Sequence, residues 1–149
     1  MKVKEIMTKE VTSISADTNA QEALVLLLKM QISGLPVMDK EGKLIGMFTE
    51  KEVLAGILPS YVGRVGSFTY QENPKAVRQK ISSIRNTKVK DIMRKNVVTV
   101  DGDVSLSEVA RIMLTQNARR LPVLNKNKEV IGIVSRGDVV KALFEEYKE

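Results

Sequence analysis

The chain has no cysteine and no histidine. The first absence excludes disulfides and cysteine-ligated zinc; the second removes the commonest general base and metal ligand, so histidine-based catalysis is excluded. Long apolar runs are missing as well. The longest, Ala23 to Leu28, is far too short to cross a bilayer, and the opening MKVKEIMTKEV has no apolar stretch suited to a signal peptide. A soluble, cytoplasmic protein is therefore expected.

What is present begins with charge. Lysine and arginine number 24 against 18 acidic residues, a net charge of +6. That excess favours anionic partners in general without choosing among nucleotides, nucleic acids and acidic proteins, and a solvated lysine-rich surface explains it equally well. The 149 residues suffice for one ordinary domain or two small units sharing a core, with roughly 70% of the unfolded surface hidden.

The strongest signal is a duplication. LPVLNKNKEVIGIVSRGDV, from Leu121 to Val139, repeats LPVMDKEGKLIGMFTEKEV, from Leu35 to Val53. The match extends without a gap to VKEIMTKEVTSIS from Val3 and VKDIMRKNVVTVD from Val89, and from Val53 to Leu58 against Val139 to Phe144. Repeats of this length are read as structural units before anything else. The expected division is 1–58 for the first, 59–88 for a linker and 89–149 for the second.

Within each copy the pattern predicts strand, helix, strand, strand, helix. Val11 to Ser15 and Val97 to Asp101 read as short strands. Asn19-Ala-Gln-Glu22 and Ser105-Leu-Ser-Glu108 place a capping side chain three residues before a glutamate able to reach back to the first turn. Ala20, Ala23, Leu24 and Leu27 then share one helix face, as do Leu106, Val109, Ala110 and Met113, with Leu26, Leu28 and Ile112 widening the stripes. Ser33-Gly34 or Arg119-Arg120 leads into Leu-Pro-Val. Because proline cannot donate to a ladder, that strand should lie at a sheet edge or carry its proline at the first position. Asp39-Lys-Glu-Gly42 reads as a hairpin turn with glycine supplying a positive φ, and Asn125-Lys-Asn-Lys128 as its counterpart using asparagines. Strands Leu44 to Thr49 and Val130 to Ser135 follow, then helices from Glu50 and Arg136. One such copy would be marginal alone. The expected fold class is α+β: two tandem β-α-β-β-α motifs packed sheet to sheet into one pseudo-two-fold globule.

The linker reads as a loop from Pro59 to Glu72, then a helix capped by Asn73 and opened by Pro74. Val77, Ile81 and Ile84 form its apolar line, with Lys75, Arg78 and Arg85 largely off it. A docked helix is the plain reading and a nucleic-acid contact the alternative.

The ordered set of Leu-Pro-Val, turn, Ile-Gly, and then Thr or Ser followed three residues later by an acid, found twice in one register, resembles a tandem pair of CBS motifs, or Bateman module, named after cystathionine beta-synthase. The resemblance covers nearly everything outside 59–88. It implies a cleft between paired motifs that receives AMP, ADP, ATP or S-adenosylmethionine. By the same resemblance Asp138 accepts hydrogen bonds from ribose hydroxyls, Ser135 contacts ribose or phosphate, Arg120 and Arg119 meet phosphate, Ile133 borders adenine, and Thr18 and Ala23 line the pocket from the other copy. The residue types suit these roles: a carboxylate accepts two hydroxyls at once, and guanidinium matches phosphate in a planar fork. The amides at the start of the helix after Ser135 also face an anion favourably.

Ser-x-x-Asp is equally a helix cap, and Thr49-x-x-Glu52 a full capping box; capping and binding are compatible. The first copy departs from the pattern, with Glu52 in place of the aspartate and no cations at Ser33-Gly34. One competent site around Asp138 is therefore expected, with a weak, differently selective or empty one around Glu52. The functional expectation is a stand-alone regulatory or sensor module, homodimeric by resemblance, acting on a regulated protein the sequence does not name. Nucleic-acid binding through the basic surface is the alternative, opposed by the 4% aromatic content and the lack of a recognised RNA-binding signature. An enzyme is not expected: there is no glycine-rich phosphate loop, no nucleophile with its base and no metal-ligand cluster.

Overall fold

In the computed structural model the described residues are 1–32, 34–57 and 74–148. The expected loop at 59–72, the Asn73 cap and Ser33 lie outside them. Two compact units form, and neither is a contiguous repeat: one comprises Met1–Thr12, Glu41–Leu44 and Asn96–Glu149, the other Ser13–Lys40 and Ile45–Lys95. The segment leading into the first repeat is thus built into the second-repeat unit, and the segment leading into the second repeat into the first-repeat unit.

The first-repeat unit contains β1 (Ile14–Ser15), α1 (Ala20–Met30), β2 (Gly34–Met38), β3 (Leu44–Thr49), α2 (Glu50–Ile57), α3 (Pro74–Arg85) and the single turn α4 (Val89–Ile92). Its sheet runs in the order β1-β2-β3. β1 is parallel to β2, with Ile14 opposite Val37, and α1 provides the crossover that parallel strands require. Leu27 and Ala23 from α1 meet Leu35, Val37 and Phe48 from the sheet, and Ile84 of α3 and Val89 of the exchanged segment complete the core. α3 docks on α1 and α2 with Ile84 buried and Ile81 exposed, as a linker helix.

The second-repeat unit contains a short 3-10 turn (Val3–Glu5), β4 (Val100–Asp101), α5 (Leu106–Thr115), β5 (Arg120–Leu124), β6 (Val130–Ser135) and α6 (Arg136–Glu146). Its sheet runs β4-β5-β6, β4 parallel and β6 antiparallel to β5. Val3 is fully buried among Val109, Leu121, Val123 and Val134. The backbone holds it there: the Val3 N–H donates to the Val104 carbonyl at 2.9 Å and the Lys4 N–H to that of Gly102 at 3.1 Å.

Four local expectations need correcting. The opening strands are only two residues long, Ile14–Ser15 and Val100–Asp101, because the ladder to β2 or β5 ends there. Pro36 and Pro122 are third residues of β2 and β5, which are the middle strands of their sheets. Pro122 is tolerated because its opposite residue, Ile133, turns its N–H and carbonyl outward to Thr8 at 3.0 and 2.9 Å. The proline therefore occupies a non-hydrogen-bonded pair with β6. Its nitrogen faces the β4 side, where that strand reaches only Val123 and Leu124. In the turns, Gly42 has φ +81° as expected, but in the second copy the positive φ falls on Lys128, at 62°. The Asn125 side chain accepts from the amides of Asn127 and Glu129, both at 2.9 Å. Finally, Asn19 and Ser105 cap their helices through Glu22 and Glu108 amides, each at 3.2 Å. Glu108 does not reach back; its carboxylate pairs with Arg111, whose Nε lies 2.9 Å away.

Candidate functional site

The register of β5 and β6 assembles most of the expected residues. Arg120 is opposite Ser135 and Pro122 opposite Ile133. Directly opposed residues of an antiparallel pair project to one face, so Arg120, Ile133 and Ser135 share a face while Leu121, Val123 and Val134 point into the core. Ser135 ends β6 and caps α6: its Oγ accepts from the Asp138 N–H at 3.1 Å, and Asp138 Oδ2 accepts from the Ser135 N–H at 2.9 Å. The cap is complete, yet it occupies only part of the acceptor capacity of a carboxylate, which has about four lone-pair positions. Asp138 is half-buried and Arg119 and Arg120 are exposed.

Arg136 was not singled out from the sequence, and it organises the other side of this junction. Its backbone N–H donates to the Arg119 carbonyl at 3.0 Å. Its guanidinium donates to the Ala118 carbonyl at 3.1 Å and to Asn117 Oδ1 at 3.3 Å. The start of α6 thereby fixes the chain that carries Arg119 and Arg120. Among the described residues neither of those two guanidiniums is engaged by a carboxylate. A cluster of arginines beside a helix start offers planar donors and the favourable end of the helix dipole to an anion.

The equivalent junction in the first-repeat unit joins β3 to α2. Here the Thr49 hydroxyl donates to the Glu52 carboxylate in place of the reciprocal backbone box of the second repeat. Glu52 also faces Arg94, whose Nε lies 3.9 Å from its Oε1. Arg94 reaches this position from the exchanged segment. Its N–H and carbonyl each bond Met47 at 2.9 Å, just as Thr8 bonds Ile133 in the other unit. Nothing in the local sequence around Glu52 signals this residue; only the repeat alignment, which sets Arg94 against Thr8, marks the place as special.

Thr18 and Ala23 belong to the first-repeat unit. Ala23 is buried in its core at 1% exposure, and the Thr18 carbonyl accepts from the Val89 N–H at 2.8 Å, tying down the exchanged segment. Among the described residues no group of three or more acidic, cysteine or histidine side chains is placed to hold a metal, and no helix is long and apolar enough to cross a membrane.

Comparison with known proteins bears on this geometry. An uncharacterised protein of Methanocaldococcus jannaschii is 32% identical over 96% of this chain and 91% of its own length. The chloroplastic CBS domain-containing protein CBSX1 of Arabidopsis thaliana is also 32% identical, with the chain spanning 63% of its length. Among solved structures, CBSX2 in complex with AMP is 27% identical with a TM-score of 0.74, covering 99% of this chain and 98% of its own; CBSX2 is a CBS-pair protein from Arabidopsis thaliana. The CBS domain pair of protein MJ0100, in complex with 5'-methylthioadenosine and S-adenosyl-L-methionine, is 25% identical with a TM-score of 0.67, covering 96% of this chain and 99% of its own. The family model for the CBS domain matches twice, at 3–59 and 89–145, the same two stretches that the duplication picks out, and the chain belongs to the CBS-domain family.

Proposed function

We propose that the protein is a regulatory module that binds an adenosine-containing ligand, AMP, ADP, ATP or S-adenosylmethionine, and transmits its occupancy as a change in shape or association. The observation that carries this reading is the β6–α6 junction, where register gathers Arg120, Ile133 and Ser135 on one face beside the capped Asp138. In this reading the remaining lone pairs of Asp138 take the ribose hydroxyls, Ser135 meets ribose or phosphate, Arg120 and Arg119 hold phosphate, and Ile133 borders the base. Thr18 and Ala23 enter as the resemblance's expectation for the first repeat. The AMP complex of CBSX2 and the methylthioadenosine and S-adenosylmethionine complex of the MJ0100 pair support the ligand class.

A ligand shifts an equilibrium only by its differential affinity for two states, so a second conformation or a regulated partner belongs to the proposal. So does a homodimer: Leu114, Val140, Phe144 and Tyr147 are exposed on or beside α5 and α6 at 76%, 55%, 78% and 72%. Light scattering that finds a monomer at working concentration rejects the dimer. The deciding experiment is calorimetry with AMP, ADP, ATP, S-adenosylmethionine and NAD on wild type and Asp138→Ala. Saturable binding of at least one is expected, with the tighter site lost in the variant; no binding, or binding indifferent to Asp138, rejects the reading.

A further inference from the structure

The first repeat has Ser33 and Gly34 where the second has Arg119 and Arg120, so a phosphate at its junction would find no cation in the corresponding sequence. The fold brings one from elsewhere. Arg94 is anchored to β3 through its two backbone hydrogen bonds with Met47, and its side chain extends to Glu52, the counterpart of Asp138. The two partners are held unequally. The Glu52 side chain is 11% exposed and that of Arg94 45% exposed. The carboxylate is also bonded by the Thr49 hydroxyl, whereas the guanidinium stands at 3.9 Å, beyond hydrogen-bonding distance. Partly exposed ion pairs of this length hold weakly. The guanidinium is thus free to exchange the carboxylate for a phosphate, whose several oxygens suit its fork and carry more negative charge. Thr8, at the same place in the second-repeat unit, carries no charge and leaves that role to Arg119 and Arg120.

We propose that Arg94 determines ligand specificity at the β3–α2 junction, selecting a phosphate-bearing adenosine compound over a neutral one. This rests on reading these junctions as nucleotide sites. Without Arg94 the half-buried Glu52 carboxylate would repel a phosphate, so its loss acts twice on an anionic ligand and leaves a neutral one untouched.

The test uses the full chain carrying Asp138→Ala, with AMP and adenosine titrated calorimetrically into versions with Arg94, Arg94→Gln and Arg94→Lys. The expected result is a loss of AMP affinity of about tenfold or more with glutamine, the scale of one charge-assisted hydrogen bond. Lysine should recover part of it, and adenosine affinity should be unchanged or higher. Equal AMP affinity with arginine and glutamine overturns the proposal. Parallel loss of both ligands does so too, since that is the mark of a structural role, as does absence of AMP binding in the Asp138→Ala chain with Arg94 intact. The step from wild type to Asp138→Ala tests the reading of the second repeat separately: no change there rejects that reading, while the Arg94 comparison still decides this one.

Discussion

Met7 lies against Gly132 so closely that a side-chain carbon on the glycine would overlap its sulfur, and Met93 holds the same place over Gly46. Each methionine comes from the exchanged segment, and each glycine from the Ile-Gly pair of the strand that receives it. Two sequence features that looked separate, the repeated Ile-Met and the repeated Ile-Gly, are therefore the two sides of one contact.

Alanine at either glycine should be costly for that reason. The added carbon also falls 2.9 Å from a backbone oxygen, that of Thr8 for Gly132 and of Arg94 for Gly46, and backbone yields less readily than a methionine. A loss of about 1–3 kcal/mol is expected for each, as for other overpacked sites, read from denaturant midpoints. Adding Met7→Ala to Gly132→Ala should recover only part of it, because the Thr8 carbonyl stays.

The exchange of segments predicts where damage appears. Val3 and Val89 are both fully buried, Val3 in the core of the second-repeat unit and Val89 in that of the first. Truncating either to alanine should cost about 2 kcal/mol. Hydrogen exchange should then rise in β5 and β6 for Val3→Ala, and in β2 and β3 for Val89→Ala. The opposite assignment would show that each segment serves its own repeat.

A pair of ion clusters ties the same segments down. Asp103 faces Lys4 at 2.8 Å and Lys2 at 3.5 Å, and Asp17 faces Lys90 at 3.2 Å and Lys88 at 3.8 Å. The hydrogen bond from Lys4, then its charge, holds the Asp103 carboxyl below the usual aspartate range, and Lys90 does the same for Asp17. A carboxyl depressed in the folded state contributes stability that is present above its unfolded value and lost as pH falls through its folded one. Both clusters are solvent-exposed, so the effect should be small and reduced by salt. Carboxyl titration by NMR should give low midpoints for both residues, and Lys4→Ala should move Asp103, but not Asp17, back toward the ordinary range, Lys2 keeping part of the shift.

Capping and binding by Asp138 separate in thermal or denaturant unfolding. Without ligand, Asp138→Ala and Ser135→Ala should each lose about 1 kcal/mol as one half of the cap is removed. With ligand at roughly 100 times its dissociation constant, wild type should gain about 2.7 kcal/mol, and Asp138→Ala should gain far less. Equal gains in both proteins would leave Asp138 as a cap alone.

Much of this was legible in the residues because the duplication let each copy check the other. The helix stripes through Leu27 and Met113, the strands ending at Thr49 and Ser135, and the Ser135–Asp138 cap all depend on local spacing, which sequence reports directly. What escaped depends on partners far along the chain. The tolerance of Pro122 follows from Ile133 turning to Thr8, and the neighbour of Glu52 is an arginine some forty residues on, at Arg94. Glu108 had two legitimate local partners, its own N-cap and Arg111, and spacing does not choose between them. The pinning of Asn117 and Ala118 by Arg136 joins the two ends of a hairpin that no periodicity describes.

Because Val3 plugs one core and Val89 the other, cutting the chain within residues 59–73 would separate each sheet from the plug it needs. A fragment made from the first half alone would carry a stopper for a bottle it does not contain, and a fragment made from the second half would do the same. The smallest length of this gene that encodes a finished core is therefore longer than one repeat.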